Sequence, residues 1–82
     1  MNPIKKTQET PDFSEMFKNW TAPVVPRTEV SHFSGGLLNG KTMANHDSLG
    51  TGPAGRLKIG RKIAYEKNSL IAWLESRATR EN

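Results

Sequence analysis

Between residues 56 and 65, apolar and cationic positions alternate. Leu57, Ile59, Ile63 and Tyr65 fall at every second place on either side of Gly60-Arg61, and Arg56, Lys58 and Lys62 take places between them. A period of two is that of a strand with one buried face, and a glycine-containing break between two such runs predicts a hairpin. Read straight through the break, the pattern predicts one apolar face and one cationic face.

Elsewhere the period is helical. Phe13, Met16, Phe17 and Trp20 stand at i, i+3, i+4 and i+7, with Pro11 and Asp12 placed to start a helix. This stripe is read either as extra core docked on the domain or as a partner-binding surface. Thr21 to Pro26 contains Pro23 and Pro26 and reads as an extended linker or edge strand. Pro26 suits a first helical turn, so a short helix is predicted over Pro26 to Ser34, burying Val30 and Phe33 and stopped by Gly35-Gly36. A second helix follows Asn39, a good N-cap, and ends at Gly50; a third runs from Lys67 to Arg77 with Leu70, Ile71, Trp73 and Leu74 inward. The predicted organisation is a disordered arm over 1–11, a short amphipathic helix and linker over 12–25, a compact domain over 26–77 and a frayed tail over 78–82.

Composition narrows the chemistry. At 82 residues and 34% hydrophobic content, the core is small. Twelve Lys and Arg against eight Asp and Glu give a net charge of +4, which favours polyanionic partners. With no cysteine there is no disulfide framework and no thiolate zinc site. The polar start and the lack of a membrane-length apolar run lead to the expectation of a cytoplasmic protein with no membrane partner. His32 and His46 lie on separate predicted helices, and no carboxylate pair or metal-ligand spacing accompanies them. Lys41-Thr42 mimics the end of a phosphate loop, but the glycine pattern is incomplete and the chain is too short for a nucleotide fold. No enzyme, metal, cofactor or small-molecule substrate is therefore expected.

The order of the pieces is more specific than any one of them. Lys41-Thr42-Met43-Ala44-Asn45, Gly50-Thr51-Gly52-Pro53, Lys58-Ile59-Gly60-Arg61-Lys62-Ile63-Ala64-Tyr65 and Leu70-Ile71-Ala72-Trp73-Leu74-Glu75-Ser76-Arg77 follow one another over most of residues 28–77. In that order they resemble the excisionase and AlpA-like branch of the MerR-type winged helix-turn-helix DNA-binding proteins. The resemblance implies a small α+β winged helix-turn-helix, with helices around a two-stranded basic hairpin, carrying an N-terminal extension. It also implies sequence-specific binding of double-stranded DNA, as an architectural excision factor or as a transcriptional regulator of a phage or mobile element. An integrase, or another copy of the chain on repeated sites, is then the expected protein partner.

On that reading Asn39, Lys41, Thr42 and Asn45 are the candidate groups of the recognition helix. An amide such as Asn45 can pair with adenine, contact a phosphate or water, or hold the turn; Lys41 reaches DNA or remains a solvated charge. Arg56, Lys58, Arg61 and Lys62 are the candidate contacts of the wing, with Arg61 at the tip suited to a minor groove or a phosphate. Tyr65, Leu70, Trp73 and Leu74 are expected in the core, not as a base-stacking platform. The competing expectation is a non-enzymatic interaction module that uses the Phe13/Met16/Phe17/Trp20 stripe.

Overall fold

The computed structural model describes residues 17–78. The arm over 1–11, the first five residues of the 12–20 helix and most of the 78–82 tail lie outside them. The elements are β1 (Val24–Pro26), a 3-10 turn (Arg27–Glu29), α1 (Val30–Phe33), α2 (Gly40–Leu49), β2 (Arg56–Ile59), β3 (Lys62–Glu66) and α3 (Lys67–Arg77). The strands form one antiparallel sheet in the order β1-β3-β2. The result is a small α+β fold of three helices and a three-stranded sheet.

Each helix end has a local cause. Asn39 is extended and its side chain accepts from the Thr42 N–H at 2.9 Å, satisfying one of the free donors at the start of α2. Gly50, at φ 76°, turns the chain into the left-handed region, and the Thr51 N–H returns to the His46 carbonyl at 2.9 Å. The predicted helix from Pro26 is divided: Pro26 is extended and stays in β1, residues 27–29 tighten into the 3-10 turn, and only Val30–Phe33 is α-helical. The conformation of Pro26 reflects its pairing with Ala64 across the sheet, which a position at the first turn of a helix could not provide.

Of the two readings of residues 21–26, the edge strand holds: Val24–Pro26 pairs with β3 at one edge of the sheet and Val25 is fully buried, so the sheet is wider than the two-stranded hairpin expected. Upstream, Phe17 to Trp20 form a turn closed by the Trp20 N–H on the Phe17 carbonyl at 3.1 Å. Phe17 stacks on Phe33 at 4.5 Å, and Trp20 meets the same ring edge-on at 5.4 Å. The described half of the aromatic stripe thus lies against the core. Phe13 and Met16 lie outside the described residues.

The core is Val25, Val30, Phe33, Leu38, Met43, Tyr65, Leu70, Ile71 and Leu74. Trp73 packs at its rim, where its indole N–H donates to the Thr51 carbonyl at 2.9 Å. The α3 start is tied back by the Lys67 N–H to the Pro23 carbonyl at 2.8 Å, so the C-terminal helix is anchored to the segment entering β1.

The largest correction concerns the faces of the hairpin. Ile59 pairs with Lys62, Lys58 with Ile63, Leu57 with Ala64 and Arg56 with Tyr65. Directly paired residues in an antiparallel ladder project from the same face. Because the loop Gly60-Arg61 has two residues, partners have numbers of opposite parity, and alternation cannot be counted straight through the turn. The core face therefore carries Val25, Tyr65, Arg56, Ile63 and Lys58. The outer face carries Pro26, Ala64, Leu57, Ile59 and Lys62. Neither face is purely apolar or purely cationic.

Candidate nucleic-acid interface

In α2, Met43 is fully buried and Asp47, one turn later, points the same way into the sheet. Helical spacing then sends Lys41, Asn45 and Ser48, at i, i+4 and i+7, to the opposite side, and all three are exposed. Thr42 is half-buried on the flank. Asn39 lies at the helix entrance with its side-chain oxygen committed to the cap on Thr42. Ser48 was not among the candidates, although its place three residues after Asn45 on the polar row is readable from sequence.

Asp47 is the hub under this row. Its side chain is only 6% exposed, and Oδ2 accepts from Arg27 Nη2 at 2.6 Å and from the Tyr65 hydroxyl at 2.5 Å. The Arg27 Nε also donates to the Tyr65 hydroxyl at 3.0 Å. The Arg56 guanidinium stands 3.6 Å from Asp47 Oδ1. One carboxylate thus gathers the 3-10 turn, both strands of the hairpin and α2. Burial raises the Tyr65 phenol above its ordinary range and the Asp47 carboxylate adds to the rise, with Arg27 opposing it. For Arg27, burial acts downward, but the hydrogen bonds to Tyr65 and Asp47 outweigh it and raise the pKa.

The glycine run between α2 and β2 makes room for this hub. A Cβ on Gly52 would lie 2.2 Å from Asp47 Oδ1, so no larger residue fits there without displacing the carboxylate. Gly55 has φ 74°, and a Cβ there would press on Glu66 and Ser69. Gly50, Gly52, Pro53, Gly55, Arg56 and Asp47 line a shallow polar cleft along this seam. His46 lies at its edge, with Nδ1 2.8 Å from Thr51 Oγ1 and its ring edge-on to Trp73 at 5.1 Å.

The basic residues of the hairpin consequently fall into two kinds. Arg56 sits beside Asp47 with 48% of its side chain exposed, and belongs to the frame joining wing and helix. The side chains of Lys58, Arg61 and Lys62 are exposed and make no hydrogen bond or ion pair among the described residues, and that of Lys41 on α2 is in the same condition. Lys58 projects from the side of the sheet on which α2 lies, because it shares the face from which Arg56 and Tyr65 reach Asp47. Lys62 projects from the other side, and Arg61 occupies the turn. At roughly 3.3 Å per strand residue, the tip stands about 13 Å beyond Arg56. The structure therefore brings Lys41, Asn45 and Ser48 into one row on the side of α2 turned away from the sheet, and places Lys58 and Arg61 on the hairpin arm, with Lys62 on the arm's other face.

The chain matches no family model, no curated protein and no solved structure. The geometry and the sequence pattern carry the functional argument. Among the described residues there is no group of three or more His, Cys, Asp or Glu able to hold a metal, and no helix long and apolar enough to cross a membrane.

Proposed function

We infer that this chain binds double-stranded DNA sequence-specifically, with the outward row of α2 in the major groove and the hairpin arm on the adjacent backbone or minor groove. The supporting observation is the sorting of its cations. Asp47 holds Arg27 and Arg56, whereas Lys41, Lys58, Arg61 and Lys62 stand exposed without an acidic partner among the described residues. Unpaired charges held on a rigid frame are suited to phosphate, because each displaces a condensed counter-ion on contact. Asn45, between Lys41 and Ser48, is the group for paired hydrogen bonds to adenine.

On this reading the protein is an excisionase-like architectural factor or a transcriptional regulator of a phage or mobile element, in line with the order of its sequence motifs. A single domain of this size offers a small interface, so binding is expected to draw on neighbouring copies on repeated sites or on an integrase. Phe17, stacked on Phe33, and Trp20, edge-on to the same ring, support a packing role for the stripe over a partner-binding one.

The test is selection of duplexes from a random pool, followed by binding at several salt concentrations. DNA binding predicts a recovered consensus and a steep loss of affinity with salt. Arg61→Ala and Lys62→Ala weaken binding to all sequences, and Asn45→Ala changes the preference among them. An absence of salt-sensitive binding to any duplex refutes the reading. An excision factor then shifts an integrase's product ratio, whereas a regulator shifts promoter output.

A further inference from the structure

The hairpin arm ends in a feature that phosphate binding does not require. Ile59 is 72% exposed, immediately before the Gly60-Arg61 turn and paired across the ladder with Lys62. Leu57, two residues back on the same face, is 37% exposed. Apolar exposure therefore rises toward the tip, contrary to what a face that docks flat would show. Gly60, at φ 63°, keeps the turn narrow, and no other atom lies within 4 Å of where its Cβ would stand. The arm thus presents a slender end with Ile59 opposite Lys62 and Arg61 in the turn between them. Ile59 is β-branched, so its side chain has little rotamer freedom to lose on insertion.

Resting on the DNA reading, we propose that Ile59 is a wedge which enters the minor groove and partly unstacks one base step, while Arg61 and Lys62 hold the flanking phosphates. Charge selects nucleic acid as the occupant. Residues 56–65 contain four cations and no acid, and the three nearest the tip have no partner among the described residues. An apolar side chain with the unpaired Lys62 on its own face and Arg61 in the adjoining turn suits a surface whose rim is anionic and whose stacked base faces are apolar. Apolar wedges of this kind kink a duplex by about 20–90° toward the major groove. The step entered should be a flexible pyrimidine–purine step, the least costly to unstack. A minor groove about 7.5 Å deep is within reach of an arm that extends about 13 Å past its last anchored row.

The experiment uses a duplex of about 30 base pairs recovered from a random pool by the wild-type chain. It carries a donor and an acceptor dye at its ends and a fluorescent adenine analogue at the pyrimidine–purine step. Wild type, Ile59→Thr and Leu57→Thr are compared; threonine keeps the β-branched shape, and both sites are exposed enough for the fold to survive. The expected result is a kink of at least about 20° and analogue brightening with wild type and with Leu57→Thr. With Ile59→Thr both signals are lost, while the salt dependence of binding is unchanged. Binding by Ile59→Thr with the wild-type kink and brightening overturns the wedge and leaves the DNA reading standing, as does a straight duplex under wild type. If instead both threonine variants reduce self-association of the free protein and neither alters the bend, the strip is a protein contact and the proposal fails. If wild type binds no duplex in a salt-sensitive way, the DNA reading falls and the wedge falls with it.

Discussion

Replacing Asp47 by alanine tests the frame on which the proposed interface is built. The carboxylate accepts two short charge-assisted or hydroxyl hydrogen bonds, 2.6 Å from Arg27 and 2.5 Å from Tyr65, at a site only 6% exposed. Hydrogen bonds to a charged group contribute about 1.5–3 kcal/mol each, and removing one member of a buried pair costs about 3–5 kcal/mol because the other is left unsatisfied. Arg27 retains 26% side-chain exposure and Arg56 48%, so water relieves part of that cost. The 3.6 Å pair with Arg56 adds at most about 1 kcal/mol. The expected loss is about 3 kcal/mol, or roughly 12–24 °C in Tm for a domain of this size. Urea unfolding at neutral pH, followed by circular dichroism, measures it directly, and an unchanged slope shows that the unfolded state is not the cause. The cycle with Tyr65→Phe should give a coupling of about 1–2 kcal/mol. A loss below about 1 kcal/mol, or a coupling near zero, would refute the account of Asp47 as the joint between helix and wing.

Three further outcomes follow from the same geometry. Arg61→Ala and Lys62→Ala should each reduce the slope of log affinity against log salt by about 0.9, whereas Arg56→Ala should change it less, because the Arg56 guanidinium is drawn back toward Asp47 at 3.6 Å; equal slopes for all three would contradict that division. The raised pKa of the buried Tyr65 means that its contribution to stability is complete below about 10, its unfolded value, and is lost as pH rises through the higher folded value; alkaline unfolding curves of wild type and Tyr65→Phe measure it, and the variant should lack that limb. Asn39→Ala should cost about 1 kcal/mol by removing the cap on Thr42, and Asn39→Asp should restore most of it; an alanine variant as stable as wild type would place the cap elsewhere.

The boundaries of α2 and α3 were readable because their signals are local. Asn39, Gly50 and the Lys67–Arg77 segment act through their own backbone neighbours, and the structure places each where the sequence did. Lys41 and Asn45 were legible on the same ground, whereas Ser48 on the same exposed row was passed over. Arg56 was not. Nothing in a basic hairpin distinguishes a cation with an internal partner from one without, because the partner lies nine residues earlier on a different element.

Sequence by itself thus determined the hairpin, α2 with its cap, α3, most of the core and the positive balance of the hairpin, since these depend on residue type and on spacing of a few positions. Tertiary structure alone decided which face each hairpin residue occupies, that Val24–Pro26 pairs with β3 and in what register, and that Asp47 ties Arg27, Tyr65 and Arg56 together. The physical reason is register. A two-residue loop pairs Ile59 with Lys62 and reverses the apparent alternation, and a buried carboxylate is tolerated only where folding delivers donors from distant segments to it.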